Sequence, residues 1–304
     1  MAISRAQLVK ELEPGLNALF GLEYKRYENQ HAEIYTTESS DRAFEEEVML
    51  SGFANAQVKV EGSGVSFDQA QETYTARYTH DTIALAFAIT EEAIEDNLYD
   101  RIASRYTKAL ARSMSNAKQV KAVTPLNNGL SSVATFLSGD GKSLFSTNHT
   151  TVSGTAVKNT LTTQADLNET SLEQGLIDIA GMTDERGLRV AARGVKMIIP
   201  SANQFNAERL MKSQGRTGTA DNDINAVVSM GMVPQGYRVN NFLTDTDSWY
   251  IITDVPNGMK MFQRAALKTA MEGDFDTGNV RYKARERYSF GVSDYRGIFG
   301  VEGA

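Results

Sequence analysis

The chain has 304 residues, a net charge of −7 and no cysteine. This length suffices for a large core and for two modules, and the lack of cysteine excludes disulfides and thiolate metal sites. The acidic balance argues against a dedicated nucleic-acid binder, because phosphate neutralisation needs a basic surface. An acidic protein could still enclose nucleic acid without binding it. No apolar run approaches the roughly 20 residues that span a bilayer, and the N-terminus lacks a signal-peptide pattern. We therefore expect a cytoplasmic product with no membrane partner.

The first 51 residues are typical of an arm with short helices. Ser4 and Gln7 form a capping box for a first helix, which Pro14 and the following glycine are expected to interrupt. From Glu28 to Glu47 the sequence is polar with few large aliphatic residues. This segment is therefore expected to stay mobile or to lie on a partner, while a frayed N-terminus would give the same local pattern.

A hairpin is predicted within residues 52–80. Its tip is the sequence EGSG at residues 61–64, which favours a tight turn. The section from Ala54 to Gln71 is mostly polar, and a two-stranded ribbon without a buried face is marginal in water. A neighbouring copy of the chain is its expected support, with a flexible surface hairpin as the alternative. The apolar residues that flank the tip are Val58, Val60, Val65 and Phe67.

A long amphipathic helix is predicted next, over residues 90–124. Thr90 is a good N-cap, and Pro125 is expected to end the helix. Apolar residues recur at every fourth position and should form one nearly continuous row. At 1.5 Å per residue the helix would be about 45–50 Å long, so we expect it to connect other parts of the chain. The residues of the row are Ile94, Leu98, Ile102, Tyr106, Leu110 and Met114.

The second half of the chain mixes helix and strand patterns. A capping box at residues 170–173 predicts a helix, and strands are predicted at 195–199, 237–239 and 249–252, so residues 187–262 could form a separate lobe. The helix has an apolar face of Leu172, Leu176, Ile179 and Met182.

The C-terminal residues 280–301 alternate strongly and predict a strand pair around Gly291. One face carries Tyr282, Ala284 and Tyr288. The other face is basic and could contact either phosphate or the acidic side chains of a partner subunit. Its basic residues are Arg281, Lys283, Arg285 and Arg287.

Few residues suggest chemistry. The sequence Gly141-Lys-Ser143 resembles the end of a phosphate loop, but Phe136 occupies the position of the required glycine. His149 could serve a hydrolase with Ser143 or Ser146, yet no nucleophile elbow accompanies them. The simpler interpretation of His149 is a loop histidine that is hydrogen-bonded to backbone. No histidine has a metal-ligand spacing, so no cofactor, no metal and no enzyme activity are predicted.

Several strings, in this order, resemble the phage Mu major head subunit family among the major capsid proteins of tailed bacteriophages. The resemblance spans nearly the whole chain, and the shared order of individually weak strings carries it. The strings are AFEE from Ala43, ITEEA from Ile89, DNLY from Asp96, GDGKSLFS from Gly139 with His149, IP from Ile199, NDIN from Asn222, DTDSWY from Asp245 and SDYRG from Ser293.

The resemblance implies the α+β tailed-phage major capsid fold. Its parts would be an N-terminal arm at 1–51, an extended E-loop hairpin at 52–80, a peripheral (P) domain at 81–186 with the long helix as its spine, an axial (A) domain at 187–262, and a return to the P domain at 263–304. The candidate intersubunit contacts are Val58, Lys59, Glu61, Val65, Phe67, Arg285 and Arg287.

The resemblance also implies function and partners. The chain would self-assemble through hexamers and pentamers into an icosahedral shell that encloses double-stranded DNA with weak contact. It would be found in the virion and, during assembly, in the host cytoplasm. Because no long helical segment precedes residue 50, a separately encoded scaffolding protein is expected, together with a portal protein and a possible decoration protein. An encapsulin-type compartment and a hydrolase that uses His149 are the alternatives.

Overall fold

The computed structural model describes residues 5–90, 92, 99–133, 136–215, 223–274 and 278–304. The described strands form two four-stranded sheets and two short pairs. The helices are α1 (Arg5–Arg26), α2 (Tyr99–Asn127), α3 (Glu169–Ala180), α4 (Gln204–Lys212) and α5 (Ala226–Ser229). The strands are β1 (Thr36–Ser39), β2 (Phe44–Leu50), β3 (Glu72–Thr79), β4 (Asp81–Ile89), β5 (His149–Thr150), β6 (Ala156–Val157), β7 (Gly194–Ile199), β8 (Tyr237–Val239), β9 (Trp249–Thr253), β10 (Met259–Gly273), β11 (Val280–Val292) and β12 (Ile298–Val301).

The first sheet has the order β1-β10-β11-β4 and is built on two long antiparallel strands. Tyr282, Ala284 and Tyr288 of β11 are fully buried, and the residues between them on the strand are mostly exposed. This confirms the alternation that the sequence predicts. The buried face, called the inner face below, packs against α2 and α1, where Leu110 and Met114 complete the core. The opposite, outer face is described with the candidate site.

Gly291 does not mark a turn, contrary to the prediction of a strand pair around it. Strand β11 continues through this residue, which is paired with Lys260 of β10. The glycine is required by packing, because a Cβ atom there would lie 2.6 Å from Cε1 of Tyr78. The last strand, Ile298–Val301, pairs with β9 and so lies in the second sheet.

Helix α2 is the predicted long helix, although two details of the prediction are wrong. Pro125 lies inside the last turn, and the helix ends at Asn127. Tyr106 is 51% exposed, whereas Leu110 and Met114 are buried. A row of every fourth residue drifts around a helix by about 40° per step, because a turn takes 3.6 residues. The buried face instead follows alternating spacings of three and four. The predicted N-cap, Thr90, is described, but Ile94 and Leu98 of the predicted row lie outside the described residues, which omit 91 and 93–98.

The second sheet has the order β12-β9-β7-β8. Helix α3 packs on it through Leu172, Leu176 and Ile179, and Met182, which follows the end of the helix, is buried in the same core. Its cap differs from the prediction by two residues: Asn168 is the N-cap, and it exchanges hydrogen bonds with Ser171. Trp249 is fully buried in the same core. The strands predicted at 195–199, 237–239 and 249–252 are confirmed.

The N-terminal segment differs from the predicted arm of short helices. Helix α1 continues through Pro14, which is exposed, so the hydrogen bond that proline cannot donate is lost on the solvent side. The polar segment from Glu28 to Glu47 lies on the chain's own core. Ile34 and Tyr35 are buried, and the Tyr35 hydroxyl donates to the Ala122 carbonyl oxygen at 2.6 Å. Two large side chains are therefore enough to anchor a segment that composition alone leaves mobile.

Candidate functional site

His149 is fully buried and cannot serve as a catalytic base. Its Nδ1 lies 2.6 Å from Oδ2 of Asp140, its Nε2 lies 3.1 Å from Oδ1 of Asn159, and its ring stacks on Tyr295. The expected backbone partner is therefore replaced by side chains. Burial alone would raise the pKa of Asp140, but the hydrogen bond with His149 brings it below its usual value. A substrate would find both ring nitrogens engaged and no access from solvent.

Asn159 organises this buried cluster. Its side-chain amide donates to the carbonyl oxygens of Leu144, Tyr295 and Ile298, at 2.7, 3.0 and 3.3 Å. Its Oδ1 accepts from the Ser146 backbone N–H at 2.9 Å and from His149. The role of Asn159 is thus to join the loop after α2 to the C-terminal strand. Sequence reasoning missed it, because a single asparagine in a polar stretch carries no distinctive pattern.

The Gly141-Lys-Ser143 sequence forms a tight turn. The Ser138 N–H donates to the Lys142 carbonyl oxygen at 2.7 Å, and Leu137 bridges to Ser143. No helix follows the turn to present N–H groups to phosphate, as a phosphate loop requires. In the described ranges no three metal-ligating side chains of His, Asp or Glu come together. None of the helices described is long and apolar enough to cross a bilayer.

A projecting loop, residues 51–71, connects β2 to β3, and its contacts with the described body of the chain lie at its root. The Ser51 N–H donates to the Gln71 carbonyl oxygen at 2.9 Å. Asp68 accepts from the Ala54 N–H at 2.7 Å and lies 3.8 Å from the guanidinium of Arg186. Hydrogen bonds from the backbone N–H groups of Ala54 and Gln69 hold the pKa of Asp68 below its usual value. The root therefore fixes where the loop leaves the body.

The rest of the projecting loop has no contact that would bury it. A turn closes at Gly62, which has φ of 81°, but the strands predicted on either side of it are absent, and the antiparallel pairing is confined to β2 and β3. Val58 and Phe67 are 94% and 97% exposed, and Val60 and Val65 are exposed as well. Lys59 and Glu61 are exposed beside them. Large apolar groups exposed in this way indicate an interaction surface.

The outer face of the first sheet is basic. Arg281, Lys283 and Arg285 are exposed on it, and Arg287 is partly buried. Their partners across the sheet on β4 are Ala88, Ala86, Ala84 and Thr82, whose small side chains leave the cations uncovered. Arg281 pairs with Asp274 at 2.5 Å. Arg285 and Arg287 thus share one face, and the apolar residues of the projecting loop lie elsewhere in the same subunit.

The inner face of the same sheet contains a buried ion pair with the long helix. Lys118 of α2 lies 3.2 Å from Oε2 of Glu286 on β11, and the two residues are 8% and 1% exposed. The Lys118 ammonium also lies over the ring of Tyr288. Burial raises the pKa of Glu286, although Lys118 opposes the rise. The long helix is therefore fixed to the sheet by charge as well as by apolar packing.

Solved structures of shell proteins share this fold. The chain has a TM-score of 0.55 with the virus-like particle of Pyrococcus furiosus, at 10% identity, covering 95% of this chain and 98% of that one. The procapsid protein of bacteriophage JBD30 gives 0.55 at 14% identity, covering 99% and 77%. The capsid of Myoviridae Phage XM1 gives 0.53 at 10% identity, covering 89% of each chain. No curated protein matches the chain significantly.

The structural likeness shows the fold but does not by itself distinguish a phage head from another protein shell. The family model described as "Phage capsid protein" makes that distinction, because it matches residues 73–301, about three quarters of the chain. This range contains both four-stranded sheets except for β1. The chain therefore belongs to the phage capsid protein family and is a major capsid protein, a structural subunit of the head shell rather than an enzyme.

Proposed function

We propose that each subunit lays its projecting loop over a neighbouring copy and so links the shell. The observation that supports this is the near-complete exposure of Val58 and Phe67 in a loop with no sheet partner. Burial of a side chain of this size contributes about 1.5–3 kcal/mol. Each contact is weak, but a shell repeats it many times, so the contacts act together. Val65, Lys59 and Glu61 belong to the same surface, and Arg285 and Arg287 form a second one.

The proposed division into domains follows the two sheets. The projecting loop and the first sheet with α2 would form the E-loop and the P domain, and residues 187–262 would form the A domain. Each sheet has a core cluster of its own, which supports this division, and a third cluster that includes Tyr250 of β9 and Tyr288 of β11 joins the two sheets. Strand β12, from the part expected to return to the P domain, joins the A-domain sheet. The return would thus comprise β10 and β11, and the chain would end in the A domain.

Ring closure is assigned to the A domain. Identical subunits that meet through a heterologous, ring-closing contact can form the hexamers and pentamers of an icosahedral shell. Because non-identical positions require adjustable links, we place the hinges in the projecting loop. Gly52 and Gly62 support this placement, since both have positive φ and no atom lies within 4 Å of a Cβ built on either.

The ordered strings quoted above support the proposal that the chain is a Mu-like head subunit. In that setting the chain assembles in the host cytoplasm with a separately encoded scaffolding protein and a portal protein, and a decoration protein could bind later. Packaged DNA would make only weak contact with the shell. The net charge of −7 supports this, because tight binding to the lining would hinder packaging and ejection.

Removal of the loop tip tests the proposal. A variant without residues 56–70 should fold but should not form stable shells, since the hydrogen bond from the Ser51 N–H to the Gln71 carbonyl oxygen remains at the root. Its control replaces the same residues with a glycine-serine segment of equal length, which should also fail if the apolar side chains matter. Particles are measured by sedimentation and electron microscopy, and folding by circular dichroism. Normal shells from either variant would refute the proposed role of the loop.

A further inference from the structure

Two arginines on the first sheet lack a counter-charge. Arg264 lies at a β-bulge of β10, between the pairs formed by Gln263 and Ala265, and Arg287 is the β11 residue paired with Ala265. A bulge inserts one extra residue and redirects its side chain. The bulge therefore places Arg264 next to Arg287, and both charges act on the ring of His80.

Both arginines are partly buried, and each has one unsatisfied nitrogen. The Nε atoms of Arg264 and Arg287 are inaccessible to solvent and have no hydrogen-bond partner in the described part of the chain. No ion pair involves either residue within the same ranges. A buried guanidinium N–H without an acceptor is costly. Two such groups side by side form a site that lacks its hydrogen-bond acceptor within one subunit.

The nearby carboxylates are already engaged. Glu45 accepts a hydrogen bond from Ser40 at 2.6 Å, and Asp81 pairs with Lys121 on the inner side. The imidazole of His80 contacts hydroxyl groups, and burial, followed by the charge of Arg287, lowers its pKa. An imidazole ring is either neutral or cationic, so His80 supplies no negative charge for the arginines. Among the described residues, neither of these carboxylates is left to pair with the two arginines.

Resting on the proposed function, we propose that Arg264 and Arg287 form an anion-binding site that receives a carboxylate side chain from a second copy of this chain. A guanidinium presents two parallel N–H donors that match a carboxylate. The shell brings many copies of one chain together, and that chain carries 38 acidic against 31 basic residues. The copies themselves are therefore the most concentrated source of carboxylates.

Access to the site is open on the outer face. The cross-sheet neighbour of Arg287 on β4 is Thr82, and the next outward-facing residue of that strand is Ala84. Both are exposed. Arg285 continues the cationic surface beyond the site. An acidic segment could reach the pair without moving any described element of the fold.

Charge removal tests the site. The double variant Arg264→Gln/Arg287→Gln should not lower the melting temperature of the unassembled chain, because neither arginine has a hydrogen-bond or ion-pair partner to lose in the described part of the chain. It should raise the subunit concentration needed for particle assembly about tenfold. This factor corresponds to the lower end of the coupling energies of close charge pairs across an interface. The matched control is Arg105→Gln/Lys108→Gln, which removes the same charge from exposed residues of α2. This control should assemble as the wild type does.

Zero-length crosslinking identifies the partner. The double variant Arg264→Lys/Arg287→Lys places amines in the site, and a carbodiimide joins an amine only to a carboxylate that touches it. Mass spectrometry of assembled particles should show a new link from either position to an acidic residue of another subunit, above the wild-type background. A link within one subunit, or no new link in particles that form normally, would overturn the inference.

Two further outcomes separate the possible failures. If a short DNA duplex binds the unassembled wild-type chain and the glutamine variant loses this binding while assembling normally, the anion is phosphate and the inference is wrong. If the wild-type chain forms no particles at all, the proposed function fails and the inference fails with it. Normal assembly of the glutamine variant overturns the inference alone.

Discussion

Replacement of Lys118 by methionine should destabilise the subunit in a pH-dependent way. The change keeps most of the aliphatic side chain but removes the ammonium that lies 3.2 Å from Glu286. The carboxylate is 1% exposed, and one of its oxygens has no partner in the described residues. Lys118→Met therefore leaves a buried, uncompensated negative charge.

The expected loss is about 3 kcal/mol at pH 8. Breaking a buried ion pair by removing one partner costs roughly 3–5 kcal/mol. The lower end applies here, because the nearby Tyr24 hydroxyl also lowers the pKa of Glu286 and remains in the variant. In the double variant Lys118→Met/Glu286→Gln no charge is buried, so the loss should fall to about 1 kcal/mol.

The sign of the pH dependence follows from the carboxyl group. Burial raises the pKa of Glu286 in the folded protein, and loss of Lys118 removes the charge that opposes this rise. As pH falls through the folded pKa, the native state takes up a proton before the unfolded state does, so the native state is favoured. The cost of Lys118→Met should therefore shrink between pH 8 and pH 5. When Glu286 is already replaced by glutamine, the cost of Lys118→Met should not change with pH.

Urea unfolding of the unassembled chain, followed by fluorescence of Trp249, measures these free energies. The indole is fully buried, so its emission should shift when the core opens. A loss for Lys118→Met that is below 1 kcal/mol, or that is equal at both pH values, would refute the argument. The reason is that Lys118 would then not be compensating a buried charge.

Three other predictions concern packing and ionisation. Gly291→Ala should cost about 1–3 kcal/mol, because the added methyl group would lie 2.6 Å from the Tyr78 ring, and urea unfolding measures the loss. Asn159→Ala should cost about 3 kcal/mol, because it removes a buried side chain that satisfies three carbonyl oxygens; the melting temperature should drop accordingly. Burial raises the pKa of Asp245 to about 6, so Asp245→Asn should stabilise the fold at pH 8 and lose this effect by pH 4.

Each of these predictions has a control or a contradicting result. Gly273→Ala is the control for Gly291→Ala, since nothing lies within 4 Å of a Cβ at Gly273; equal losses would mean that Tyr78 is not the cause. A wild-type melting temperature for Asn159→Ala would show that water replaces its hydrogen bonds. A benefit of Asp245→Asn that persists at pH 4 would place its origin outside ionisation.

Alternation and amphipathicity predicted the buried faces that lie inside one subunit. Tyr282, Ala284 and Tyr288 were assigned correctly because β11 has one face on the core and one in solvent. Leu172 and Ile179 were assigned correctly because α3 packs on one side only. Such patterns are local, and the sequence carries them directly.

The errors arose where distant residues decide the local structure. Gly291 resembles a turn residue until Tyr78 is seen against it, and the polar segment around Ile34 looks mobile until the core that receives it is known. The Arg264–Arg287 pair depends on a β-bulge, which leaves no signal in the sequence. The strands predicted beside Gly62 were wrong because alternating valines favour extended backbone, but a pairing ladder also needs a buried face.

The two faces of the first sheet explain how one chain can fold stably and still bind neighbouring subunits. On the inner face, α2 covers the aromatic residues of β11 and pairs Lys118 with Glu286, so this face is satisfied within the subunit. On the outer face, partly buried arginines have no described partner, and the projecting loop exposes apolar groups that burial would favour. Since side chains alternate along a strand, every outward cation on β11 has an inward aromatic or small residue next to it in the sequence, and the packing of that residue fixes the backbone. The rigid inner packing thus positions the outer contacts, and assembly satisfies what folding leaves unpaired.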